Sequence, residues 1–167
     1  MFVWTAVMQL VEEGKLDLHT DVNRYLKDFQ IPATFPQPVA MEHLMTHTAG
    51  FEDYVIGLFA KTPDKMLPLG ELMRTQMPRR VFPPGDVAAH SNYGTTLAAL
   101  IVEQVSGIPF QRYLENRILK PLSMVHATLE QPLPQNLSAD MSKGYKWTSG
   151  QLKEQDLEYV PWAPCGG

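Results

Sequence analysis

The sequence has 167 residues, 44% hydrophobic and 19% charged, which suits one globular domain with its own core and excludes a disordered chain. Its net charge of −4, with Lys and Arg scattered, leaves no electrostatic footprint for nucleic acid, and its one cysteine, Cys165, excludes an intramolecular disulfide framework and a cysteine metal site. No stretch is apolar for long enough to predict a membrane span, and residues 1–11 lack the basic leader and small-residue cleavage site of a signal peptide.

Phe2, Val3, Trp4, Ala6, Val7, Met8, Leu10 and Val11 are apolar almost all round a helical wheel, which predicts a helix buried on most sides. Glu12, Glu13 and Gly14 stop it. Such an apolar helix is an unusual first element, because a terminus normally frays at the surface, and the expectation is that something precedes it. Residues 17–29 place Val22, Tyr25, Leu26 and Phe29 at helical spacing and predict a short amphipathic helix. His19 falls on a polar turn and reads as solvated. Pro32, Pro36 and Pro38 make residues 31–39 an extended connector.

Residues 41–48 predict a short helix ending at Ala49 and Gly50. His43 and His47, four apart, would share its face, the spacing of a two-histidine metal site. Leu44 follows His43 where HExxH needs Glu, and no further ligand is marked, so no metal is expected. Residues 52–80 read as two short helices, one around Tyr54, Val55, Ile56, Leu58 and Phe59, the other holding Leu69, Leu72, Met73 and Met77. Met66, Met73 and Met77 are pliable apolar groups that fill a core or line a groove. Arg79 and Arg80 read as a solvated pair.

The central run is FPPGDVAAHSNYGTTLAALIVEQVSG. Leu97, Leu100, Ile101 and Val105 mark the buried side of a helix, ended by Ser106 and Gly107 and by Pro109 beyond. Ser91 or Asn92 can cap its start, just after the turn at Pro83, Pro84 and Gly85. One reading is a capped core helix; the other puts His90 and Asn92 in a cleft, an imidazole titrating near neutrality beside an amide able to hold a carbonyl. Pattern alone does not choose. Phe110, Tyr113, Leu114 and Ile118 predict a further amphipathic helix, ended by Pro121. Residues 130–144 read as a surface loop. Tyr145 and Trp147 alternate before Thr148-Ser149-Gly150 and Leu152, which predicts a β-hairpin, and residues 160–167 are turn-rich.

The run from FPPG through HSNYGTTLAALIVEQVSG to YLENRILKPLSM, with TAVMQLVEEGKLDL upstream and MEHLMTHTAGF between, resembles the serine hydrolase family of class C β-lactamases, related esterases and DD-peptidases. The resemblance implies a mainly α chain with a small β-hairpin: the helical lobe of the α/β β-lactamase and penicillin-binding-protein-like fold, lacking most of the sheet. It reads residues 1–167 as a single domain, a partial β-lactamase-related region, and residues 52–80 as the lobe that shapes specificity. Thr46, His47 and Thr48 then form a structural turn bonded to local backbone, and His126 is structural.

The family's second motif is Tyr-x-Asn. His90 stands at the Tyr position, as the expected proton relay, and Asn92 at the substrate-contacting amide. The nucleophilic Ser-x-x-Lys would fall immediately before Met1, and no Lys-Thr-Gly or His-x-Gly strand motif occurs. The resemblance therefore implies a fragment of a serine hydrolase, acting by acyl transfer on β-lactam, ester or D-peptide carbonyls and inactive alone. It implies no cofactor, and a small-molecule acyl substrate once the missing segments complete the site. The alternative is a non-catalytic binding or assembly module that self-associates through its exposed apolar helix. An unrelated hydrolase using Ser91 with His47 or His90 lacks the Gly-x-Ser-x-Gly elbow.

Overall fold

The computed structural model describes residues 1–53, 55 and 57–165. The chain is mainly helical, and its organising element is helix α4 (Asn92–Ser106). The other principal helices, α1 (Phe2–Glu12), α2 (Met41–Met45), α3 (Leu69–Thr75) and α5 (Phe110–Leu114), all pack against α4. A one-turn helix, α6 (Gln135–Ser138), and a hairpin of β1 (Tyr145–Thr148) and β2 (Gln151–Glu154) follow.

Helix α4 is enclosed by these neighbours, so that every residue from Tyr93 to Val102 is buried. Ser91 caps it, its Oγ accepting from Gly94 N–H at 3.0 Å, which satisfies one of the free donors of the first turn. Gly107 closes it in the left-handed conformation, φ 71°. Helix α1 buries Val3, Ala6, Val7 and Leu10, the i, i+3, i+4, i+7 stripe, and packs on α4 and α5. The expectation of burial on most sides is corrected: Phe2 and Met8 face outward, 36% and 40% exposed.

The helix predicted over residues 17–29 is replaced by one 3₁₀ turn, Val22–Arg24. Side chains there out-compete helical bonding. Asp21 Oδ1 accepts from Asn23 N–H, while Asn23 both donates to and accepts from the Ile31 backbone, at 3.0 and 2.7 Å. Val22 and Leu26 are nonetheless buried as the spacing required. His19, read as solvated, is exposed but pairs with Glu42, Nδ1 to Oε2 3.1 Å.

Of the helix predicted around residues 54–59, Tyr54 and Ile56 lie outside the described residues, and the described ones form none. Helix α3 forms as predicted and buries Leu72 and Met73. Arg79 is exposed, whereas Arg80 is buried, donating from Nη2 to the Pro32 carbonyl at 3.0 Å and lying over the Phe35 ring. Helix α5 widens over Glu115–Leu119 into a π-helical turn, Lys120 N–H bonding the Glu115 carbonyl, and buries the four apolar positions that its spacing marked. In the hairpin, Trp147 faces Leu152 across the register. Beyond it the chain returns to the core, where Trp162 is fully buried near the Tyr93 ring.

Candidate functional site

Two segments build the corner ahead of α4. Residues 47–52 run beside 79–91, joined by Glu52 N–H to Arg79 O, Val81 N–H to Gly50 O, Gly85 N–H to Thr48 O and Ala89 N–H to His47 O, all 2.8–2.9 Å. Gly50 is required in this ladder. Its φ is 77°, and a Cβ there would lie 1.9 Å from the Phe82 carbonyl oxygen. The ladder holds residues 82–91 over the end of α2 and delivers His90, Ser91 and Asn92 to the start of α4.

His90 is exposed and Asn92 half-buried, two residues apart where the chain enters α4. Ser91 between them is buried, and its Oγ is committed to the cap. That bond makes it the helix cap. The His47 ring lies against that of His90, centroids 4.8 Å apart and tilted by 36°. Its Nδ1 accepts from the Ser91 backbone N–H at 3.2 Å, and the Trp4 indole of α1 meets it edge-on at 6.5 Å. The first turn of α1 thus adjoins the His47–His90 pair.

Helix α2 ends at Met45, and His47 adopts φ 56°, so His43 and His47 do not share a helical face. His43 is buried and its Nδ1 accepts from Ala40 N–H at 3.0 Å. Burial holds both imidazoles below the usual histidine range, and a charge on His90 would lower His47 further. Among the described residues no three metal-ligating side chains converge. Thr46 bonds local backbone as expected, Oγ1 to Glu42 O at 2.8 Å. His47 does so through its N–H, to Leu44 O at 3.2 Å, while its ring takes a partner 44 residues away.

Tyr93, the phenol nearest the motif, does not replace the expected Tyr at position 90. It is buried, its hydroxyl donates to the Met73 carbonyl at 3.1 Å, and burial pushes its pKa well above the usual phenol range. Cys165 borders a separate apolar groove of about 560 Å³, lined also by Phe2, Phe110, Leu129 and Met141. Burial raises its thiol pKa, the wrong direction for a nucleophile.

The family model described as Beta-lactamase matches residues 1–157. The chain belongs to the β-lactamase family. It is 36% identical over 123 residues to PbpX of Bacillus subtilis strain 168, which carries a penicillin-binding-protein name, covering 74% of this chain and 29% of that protein. It superposes on a penicillin-binding protein from Bacillus halodurans with TM-score 0.72 and 30% identity, covering 95% of this chain and 50% of that one. On a β-lactamase/D-alanine carboxypeptidase from Yersinia pestis the TM-score is 0.70 at 25% identity, covering 83% and 40%. The chain spans about a third of the length of the curated relatives it matches. Membership in this family of serine β-lactamase-related hydrolases, and a mainly helical fold with a small hairpin, bear out the resemblance read from the sequence.

The sequence named His90 and Asn92, and paired His47 with Ser91 only as base and nucleophile of an unrelated hydrolase; in the structure the His47 ring instead accepts from the Ser91 backbone N–H. No periodicity marks a contact across 44 residues, and the regular spacing from His43 pointed to a helix that stops short. Among the described residues no helix is long and apolar enough to cross a membrane.

Proposed function

We propose that this chain forms the helical wall of an acyl-transfer site, with His90 carrying a proton and Asn92 holding the substrate amide or carbonyl. The observation that carries this reading is the meeting of the α1 N-terminus with the His90 corner, through Trp4 on His47 and His47 on His90. A Ser-x-x-Lys one turn ahead of Met1 on the same helix would bring its hydroxyl and amine towards that corner. No such run occurs within the 167 residues, and in this reading the nucleophile comes from a segment outside them. In the completed site Ser attacks the carbonyl of a β-lactam, ester or D-peptide, Lys takes its proton, and His90 passes a proton to the leaving group. An imidazole ordinarily titrates near 6.5 and a phenol near 10, so a proton donor that is His in place of Tyr moves the alkaline limb of the rate profile down towards neutrality.

Intact mass after exposure to a fluorophosphonate, and separately to a penicillin, tests this. The 167-residue chain is expected to gain no adduct. A chain extended by a Ser-x-x-Lys segment is expected to gain one, on that serine, and His90→Ala to slow its formation. An adduct on Ser91 would overturn the reading. A second reading, a non-catalytic module whose apolar helix face is covered by a partner or a second copy, is favoured by the exposure of Phe2 and Met8. A sedimentation mass that rises with concentration supports it; a monomer across the range counts against it.

A further inference from the structure

We infer that His47 is the positioning residue of this site: its carbonyl and its neutral imidazole clamp the two residues flanking His90, so that protonating His47 releases the corner. Ala89 N–H donates to the His47 carbonyl at 2.9 Å and Ser91 N–H to its Nδ1 at 3.2 Å. His90 lies between those two anchors, and its ring lies on the same imidazole. One residue therefore fixes the backbone on both sides of His90 and the surface that its ring rests on.

His47 holds φ 56° to do this, a left-handed conformation that L-residues disfavour and that Gly or Asn meets far more readily. Such strain persists where surrounding contacts fix it, and an observed outlier of this kind is a ground for assigning function. An Nδ1 that accepts must carry its lone pair, so the proton of neutral His47 is on Nε2. A second proton would go to Nδ1 and face the Ser91 N–H, turning an attractive contact into two opposed donors. Of the elements around the ring, α1 presents the uncharged Trp4 and the corner presents His90. Among the described residues His90 is the ionisable group whose charge opposes one on His47, and burial acts in the same direction. A proton taken up by His90 during turnover thus helps to keep His47 neutral and the clamp closed.

The inference rests on His90 as the proton carrier, yet the two fail separately, because the clamp is read by NMR on the 167-residue chain without substrate. Long-range proton–nitrogen correlations report the tautomer and titration of His47, and hydrogen exchange reports Ser91 and Ala89 N–H, between about pH 8 and pH 5. The wild type is expected to show the Nε2–H tautomer, and to lose Ser91 protection, relative to the intrinsic rate, in step with His47 protonation. His47→Ala is expected to lower Ser91 protection about five- to tenfold at neutral pH. His47→Asn accepts the same backbone conformation and offers a non-titrating oxygen, and is expected to keep protection with the pH step abolished. If the alanine variant fails to fold, the asparagine variant carries the test through that step. An Nδ1–H tautomer at neutral pH, or a Ser91 exchange profile unchanged by either substitution, would overturn the inference.

Discussion

The ladder that joins residues 47–52 to 79–91 and the hairpin of β1 and β2 are both antiparallel pairings of two short segments, yet they differ in how their side chains are anchored. In the ladder, Gly50 touches the Phe82 backbone, Phe51 packs edge-on against Tyr93, and Arg80 is buried over Phe35. In the hairpin, Tyr145, Trp147 and Leu152 are 56%, 68% and 65% exposed. The ladder is thus anchored by buried side chains at its ends, at Phe51, Arg80 and Ser91, although Val81, Phe82 and Val87 between them are 47%, 42% and 37% exposed, whereas the large apolar side chains of the hairpin have no such anchor. The candidate site is built on the anchored one, where Ala89 and Ser91 N–H on either side of the exposed His90 both bond His47.

The severest way to break the contrast is Gly50→Ala. The added Cβ would meet a backbone oxygen rather than a flexible side chain, at a φ of 77° that already disfavours any L-residue. A loss on the order of 3 kcal/mol or more is expected, since steric overlap and backbone strain add. Urea unfolding measures it, and a loss below about 1 kcal/mol would mean that the ladder yields easily. Next comes Ser91→Ala, which removes the α4 cap and is expected to cost about 1 kcal/mol. The same substitution should leave probe labelling of an extended, active chain intact, because Ser91 Oγ is committed to Gly94 N–H.

The stability of the ladder side should also depend on pH. His43 and His47 are both held below the usual histidine range, burial being the first cause in each case. The unfolded chain, with histidines near 6.5, therefore binds protons before the folded chain does. Their contribution is complete above the unfolded value, falls as pH drops through about 6.5, and levels off once the folded groups also protonate. His19 works in the opposite sense, raised by its bond to Glu42, so its contribution is present at low pH and lost as pH rises. That pair is exposed and screened by salt. In high salt the urea midpoint is expected to fall between pH 7.5 and 5.5, and His47→Asn to flatten that fall. A midpoint that rises on acidification would show that the two imidazoles are not held neutral.

What the sequence made legible follows the same division. Spacing found the buried stripe of α1, the start and end of α4, the apolar face of α5 and the turn of the hairpin, because each is set by residues within a few positions of one another. It overstated residues 17–29, where Asn23 bonds Ile31, and understated α4, whose enclosure by four helices buries positions outside its apolar face. Arg80 escaped because its partner, Pro32, lies 48 residues away, and the pairing of Ser91 with His47 was legible only as nucleophile and base, not as a backbone contact across 44 residues. The motif singled out His90 and Asn92 as candidates, whereas the contacts of His47 with Ser91 and His90 depend on a fold that no local pattern encodes.

The smallest expected effect is at the hairpin, and it sharpens the comparison because it is small. Trp147→Ser removes a large side chain whose neighbour across the register, Leu152, is itself exposed. The Ser149-Gly150 turn, both residues at positive φ, favours the tight reversal whether or not Trp147 is present. Unfolding of the helical core followed at Tyr93 or Trp162 should then shift by less than about 0.5 kcal/mol, the range of surface substitutions. The hairpin's own amides should exchange faster, since little else protects them. A core shift above 1 kcal/mol would mean that Trp147 is coupled to α4 through the residues that lead back to Trp162, and the two pairings would no longer be independent.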